Sequence, residues 1–273
     1  MGDRGWHVVR AALAAAVDLV LPAGCAVCGE AVCREAGGAL CRRCRADVRA
    51  SALPGGAGNV TSSPAPPGMP VCWAAARFEG ALRSAVTAYK DEGRRDLRPL
   101  LADGLALALS TSLATEPTLR GALASGERVL VVPLPTSRAS RRRRGDDPVG
   151  DLARAAVQQV RGRAAVPLAV APVLAHTRAV ADQARLGRTA RRDNLAGAIE
   201  VTAAGRDAVR GSVCVLADDV VTTGATFAEA ARSLRAAGAR HVVAVAVAAT
   251  PRRSRAGRGT ASDPALVGHR IPD

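Results

Sequence analysis

The sequence predicts an α/β protein, a parallel sheet with helices on both faces, preceded by a small cysteine-rich module. Three observations predict it. Apolar runs of strand length alternate with helical patterns from about residue 128 to 248, and strands that read as near-continuous apolar runs belong to parallel sheets covered on both sides. Hydrophobic residues make up 48% of the 273, which supports a sizeable core and excludes wholesale disorder. Five of the seven cysteines fall between residues 25 and 44, apart from that alternation.

The elements follow in order. Arg4 and Arg10 precede an apolar stretch from Ala11 to Leu21, and Pro22-Ala23-Gly24-Cys25 after it imitates a secretory leader. Asp18 interrupts that stretch and Cys25 belongs to a larger cysteine pattern, so the segment reads as a short amphipathic helix of a cytoplasmic protein. Residues 1–50 therefore hold an N-terminal helix and the cysteine module. Residues 51–70 carry five prolines and read as a linker. The stretch 71–250 forms the α/β domain, with a strand over 71–79, a helix over 81–90 ending near Gly93, and a helix over 97–113. Further on come a strand over 128–132, a helix over about 148–160 with Asp147 and Pro148 as N-cap and first turn, a strand over 212–217, a helix over about 226–237 and a strand over 241–248. The tail 251–273 reads as disordered. No run of about 18 apolar residues occurs, so no membrane span is expected.

Cys25-x-x-Cys28 and Cys41-x-x-Cys44 are separated by twelve residues. Two such knuckles can place four thiolates tetrahedrally around Zn²⁺, a closed site suited to stability or docking and not to catalysis. Cys33 lies between the knuckles as an alternative ligand. A redox pair needs only one Cys-x-x-Cys beside a helix N-terminus in a thioredoxin-like unit, and that context is missing.

The run Val213–Thr226, VCVLADDVVTTGAT, ends an apolar strand in two carboxylates and then opens a helix through a Thr/Gly loop. Ligands of open α/β sheets bind outside the carboxyl ends of strands. Gly224 permits close backbone approach, and the amides of 222–226 with their hydroxyls form a cradle for a phosphate. Asp218 and Asp219 can hold sugar hydroxyls and orient a Mg²⁺-bound phosphate ester. A phosphorylated sugar with a metal-bound diphosphate satisfies every part of this arrangement, whereas a capped strand–turn–helix accounts for only one acid and one threonine.

VLADDVVTTGAT (215–226) resembles the phosphoribosyl-pyrophosphate (PRPP) loop of type I phosphoribosyltransferases. Together with the cysteines, it resembles the ComF family, which joins a four-cysteine zinc finger to a phosphoribosyltransferase-like domain. Further pieces agree: LPAGCAVCGE with LCRRC, YKDEGRRDLRPLLADGLA (89–106), VVPLPTSRASRRRRG (131–145) and QARLGRTARRDNLAGAI (183–199). The resemblance spans roughly residues 10–250. It implies that Asp218 and Asp219 contact the ribose hydroxyls, and that Thr222, Thr223, Gly224, Ala225 and Thr226 cradle the 5′-phosphate. It also implies that Pro135 to Arg138 form a pyrophosphate-binding loop. Gln183, Arg191 and Asn194 match polar positions of a flexible loop that closes over the site. The family commonly continues its Arg-Gly with Phe-Asn-Gln, whereas this chain has Gly145-Asp146-Asp147-Pro148, a change on the pyrophosphate side.

The formal charge is +14, nearly all of it from arginine; the single lysine is Lys90. Arg138 with Arg141 to Arg144 forms one cluster, and Arg185, Arg188, Arg191 and Arg192 form another. Both suit a substrate with several phosphates, a nucleic-acid backbone or a solvated surface. Aromatics at 2% argue against base stacking, so binding to single-stranded DNA should be electrostatic and negligible near roughly 0.2 M salt. Two functions follow from the resemblance: a Mg²⁺-dependent phosphoribosyltransferase acting on PRPP and a nitrogenous base, or a non-catalytic protein of the same fold in ligand sensing or DNA uptake.

Overall fold

The computed structural model describes residues 24–31, 39–60, 65–136, 147–177 and 197–250. In chain order the elements are α1 (Arg42–Ala50), β1 (Gly58–Val60), β2 (Cys72–Arg77), α2 (Gly80–Asp91), α3 (Arg98–Thr115), α4 (Pro117–Ala124), β3 (Val129–Pro133), α5 (Pro148–Arg163), β4 (Leu168–Val170), β5 (Leu174–His176), β6 (Ile199–Val201), α6 (Arg206–Val209), β7 (Val213–Val221), α7 (Ala225–Ala236) and β8 (His241–Ala249). The fold is α/β, with a six-stranded sheet in the order β1-β2-β8-β7-β3-β4 and a separate two-stranded pair of β5 and β6. Every pairing in the large sheet is parallel except that of β1 with β2. The N-terminal helix expected over 11–21 and the tail lie outside the described residues.

The sheet is apolar on both sides because its strands alternate with period two. Val213, Val215 and Ala217 of β7 join the apolar cluster beneath α2, α3 and α5, while Cys214 and Leu216 join the cluster beneath α7 and the β5–β6 pair. With few aromatics, the close packing comes from small residues meeting branched ones. Gly104 of α3 sits so near the sheet that a Cβ there would lie 3.0 Å from Val247 Cγ1.

Two stretches that the sequence reading described take another form for identifiable reasons. The Pro/Gly-rich stretch after residue 50 is tied to the sheet edge: Leu53 N–H donates to the Ala75 carbonyl at 2.9 Å, and β1 pairs Val60 with Cys72. Those backbone bonds override a composition that reads as a linker. The strand expected to stop at 217 continues through both acids to Val221, because β8 extends beside it to pair Val220 with Ala248 and Val221 with Ala249. The helix start at Asp147-Pro148 is as expected: the Asp147 side chain accepts from Gly150 N–H, with proline in the first turn.

The cysteine-bearing segment packs into the same body. Cys25, Leu40, Cys44 and Val48 share one buried cluster with Leu82, Val86, Leu97 and Leu101. Arg77 N–H donates to the Ser51 carbonyl at 2.7 Å, and the Arg94 guanidinium donates to the Gly24 carbonyl at 3.1 Å.

Candidate functional site

From β3 the chain moves outward to β4, and from β7 it moves the opposite way to β8. The gap between β3 and β7 is therefore the topological switch point of the sheet, where α/β proteins open a crevice at the carboxyl ends of the strands. β3 stops opposite Ala217, leaving Asp218 to Val221 paired only with β8. Asp218, the 222–226 loop, Leu134, Pro135 and Thr136 thus lie around this strand end, with Asp219 buried beneath it.

The pleat separates the two acids. Asp219 shares the parity of Val213, Val215 and Ala217 and is fully buried; Asp218 points to the other face and is partly exposed. Asp218 Oδ1 accepts from the Asp219 amide at 2.9 Å. Burial, reinforced by the adjacent Asp219 and opposed by Lys90, pushes the Asp218 carboxyl up to about 8. Burial first, then the charge of Asp218, pushes the Cys72 thiol up to about 12. Asp219 Oδ1 accepts from Lys90 Nζ at 2.7 Å, while its Oδ2 is buried with no hydrogen-bond partner among the described residues. Burial would lower Lys90, but the carboxylates of Asp218 and Asp219 outweigh it and hold the ammonium above its ordinary range.

Beyond β7, Thr222, Thr223 and Thr226 are exposed at the start of α7. Gly224 has φ 76°, a left-handed conformation that favours glycine, and precedes the first residue of the helix. Ala225 N–H donates to Thr223 Oγ1 at 3.4 Å. The amides and hydroxyls of this turn, at the positive end of a twelve-residue helix, suit an anion.

Across the crevice, Thr136 Oγ1 donates to Asp147 Oδ1 at 3.0 Å, closing the base of the β3–α5 connection. The carbonyl of Pro135 accepts from His176 Nε2 at 2.9 Å, and the Tyr89 hydroxyl donates to the carbonyl of Pro148 at 3.1 Å. Lys90, His176 and Tyr89 carry no assignment from the sequence; for Lys90 a signal exists, since it is the only lysine in an arginine-rich chain. Arg138, Gln183, Arg191 and Asn194, with both arginine clusters and Cys33, lie outside the described residues.

At the start of α1, the sulfur atoms of Cys25, Cys28, Cys41 and Cys44 all lie within 4.8 Å of one another. A tetrahedron with metal–sulfur bonds of about 2.3 Å has sulfur–sulfur edges of about 3.8 Å. The Cys28–Cys41 separation is 3.7 Å. Cys41 is the N-cap of α1, with its sulfur accepting from the Cys44 amide at 3.5 Å, and Cys25 Sγ accepts from the Cys41 amide at 3.3 Å. Burial raises the Cys25 thiol, but the amides of Cys28, Cys41 and Val27 outweigh it and bring it down to about 6. The geometry and amide bonds fit a thiolate metal centre.

No helix among the described residues is long and apolar enough to cross a membrane. Comparison with protein-family models gives no match, and no curated protein is similar enough to match.

Proposed function

We propose that the chain binds PRPP with Mg²⁺ in the crevice between β3 and β7 and transfers its ribose 5-phosphate to a nitrogenous base, as the ComF-like sequence implies. The observation that carries this reading is the coincidence of the Asp-Asp-x-x-Thr-Thr-Gly-x-Thr motif with the topological switch point, the position where an α/β sheet receives a ligand. In this reading the 222–226 amides and hydroxyls hold the 5′-phosphate. Asp218, partly exposed at the crevice, accepts the ribose hydroxyls in its ionised form. Mg²⁺, a hard cation suited to carboxylate and phosphate oxygens, would offset the charge of the diphosphate as it leaves. The bond from the anomeric carbon to the diphosphate oxygen breaks, a bond to the base nitrogen forms, and the proton displaced from that nitrogen passes to solvent. The chain's contribution is positioning and electrostatic stabilisation of a charge-separated transition state. The cysteine centre takes Zn²⁺ as a closed structural site in this reading.

Calorimetric titration with PRPP, with and without Mg²⁺, followed by a pyrophosphate-release assay over a panel of purine, pyrimidine and pyridine bases tests the proposal. Mg²⁺-dependent binding with release for at least one base is the expected result. Tight binding with no release for any base favours the ligand-sensing alternative, and absence of binding overturns both.

A further inference from the structure

Lys90 lies in the last turn of α2, its Nζ 2.7 Å from Asp219 Oδ1. The two partners differ in setting: Asp219 is fully buried, while the Lys90 side chain is 39% exposed. A carboxylate fixed by packing therefore holds an ammonium that still reaches solvent. The other carboxylate oxygen, Oδ2, is buried with no hydrogen-bond partner among the described residues. A buried charge left half satisfied is a costly way to build a structural ion pair and a common feature of binding sites.

The neighbours of Lys90 say which part of the crevice it serves. Tyr89 is fully buried and bonds the carbonyl of Pro148, the first residue of α5, while Asp147 just before it bonds Thr136 after β3. The end of α2 is thereby tied to the β3–α5 side of the crevice. The Asp219 carboxylate, joined by that of Asp218 once it ionises, repels any polyanion brought to this strand end, and the ammonium compensates one of them.

We propose that Lys90 binds the diphosphate end of the ligand, with Asp219 as the positioning residue that holds its ammonium in place. This rests on the PRPP reading above and deepens it by assigning the cation on the pyrophosphate side. The remaining N–H donors of the ammonium make charge-assisted hydrogen bonds to phosphate oxygens.

The test titrates the full-length chain with inorganic pyrophosphate and, separately, with ribose 5-phosphate, both with Mg²⁺. In Lys90→Met, pyrophosphate affinity should fall by about tenfold or more, the value of one lost hydrogen bond to a charged group, while ribose 5-phosphate affinity stays within about twofold. Lys90→Arg should restore most of the loss, and the salt dependence of pyrophosphate binding should be shallower in Lys90→Met than in the wild type. Lys90→Met strands a buried carboxylate, so Lys90→Met/Asp219→Asn is compared with Asp219→Asn alone, which isolates the ammonium without that charge. Equal pyrophosphate affinity with and without the lysine, or equal loss of both ligands, overturns the proposal while leaving the PRPP reading standing. A wild-type chain that binds neither ligand overturns the PRPP reading, and this assignment with it.

Discussion

Replacing Asp218 with asparagine is expected to weaken PRPP binding sharply and, at the same time, to raise the melting temperature at neutral to alkaline pH. The two effects share one cause. Burial and the neighbouring Asp219 push the carboxyl from an ordinary 3.8 up to about 8, so the folded chain holds the proton more tightly than the unfolded chain does. A group with its folded pKa raised contributes stability in full below the unfolded value and loses it as pH rises through the folded one. The wild type should therefore lose melting temperature relative to Asp218→Asn from about pH 4 upward, with the gap levelling off above about pH 8. Asparagine carries no charge to bury and should show no such slope from this position. For binding the sign reverses: if PRPP is held by the ionised carboxylate as proposed, wild-type affinity for it should climb as pH approaches about 8. The substitution should cost roughly a hundredfold or more in affinity, as expected when two charge-assisted bonds are lost. Thermal melts between pH 5 and 9 and titrations over the same range measure both. An asparagine variant that melts below the wild type at pH 8.5 means that the carboxylate is structurally satisfied and is not held ready for a ligand.

Much of the fold was legible because it follows from two periodicities. The strands expected at 128–132, 212–217 and 241–248 are apolar runs and appear as β3, β7 and β8, with β7 running four residues further than expected, and α5 begins where Asp147 and Pro148 say it should. What composition hid is what long-range pairing decides. β4, β5 and β6 are three residues each, too short for any pattern to stand out, and they exist because β3 and each other offer partners. β1 lies in a stretch whose prolines and glycines read as a linker, yet β2 supplies the ladder.

The candidate site divides in the same way. The 222–226 turn before α7 was readable because residues contiguous in sequence form it. The different fates of Asp218 and Asp219 were not, because they depend on how far β7 runs, and β8 sets that length. Lys90 meets Asp219 across 129 residues, a contact no local pattern carries.

Stripping the metal from the cysteine centre, or replacing Cys44 with serine, is expected to destabilise the sheet domain and not merely a detachable finger. Cys44 and Cys25 are buried in the cluster that includes Leu82, Val86, Leu97 and Leu101 of the α2–α3 region. The link continues through backbone: Arg77 binds the carbonyls of Ala50 and Ser51, and Arg94 binds that of Gly24 while pairing with Asp96. Without a cation the crowded sulfurs take up protons, as burial and the neighbouring cysteines favour for Cys44, and the four lose the shared bonds that would hold Gly24–Glu30 to α1. Metal binding at such a site is folding free energy, and losing even a few kcal/mol of it should lower the melting temperature of a domain this size by about 10 °C or more. Elemental analysis should find about one zinc per chain in the wild type, as one closed four-cysteine site requires, and none in Cys44→Ser. Calorimetry should then show a single transition, shifted down in the variant and in chelated wild type, and removal of residues 1–50 should act in the same direction. The helix that packs against this centre carries Lys90, so chelated protein should also lose pyrophosphate affinity before it unfolds. Two separate transitions, with the sheet's own unmoved by chelation, would show that the cysteine module folds alone and that its contacts with α2 carry no energy.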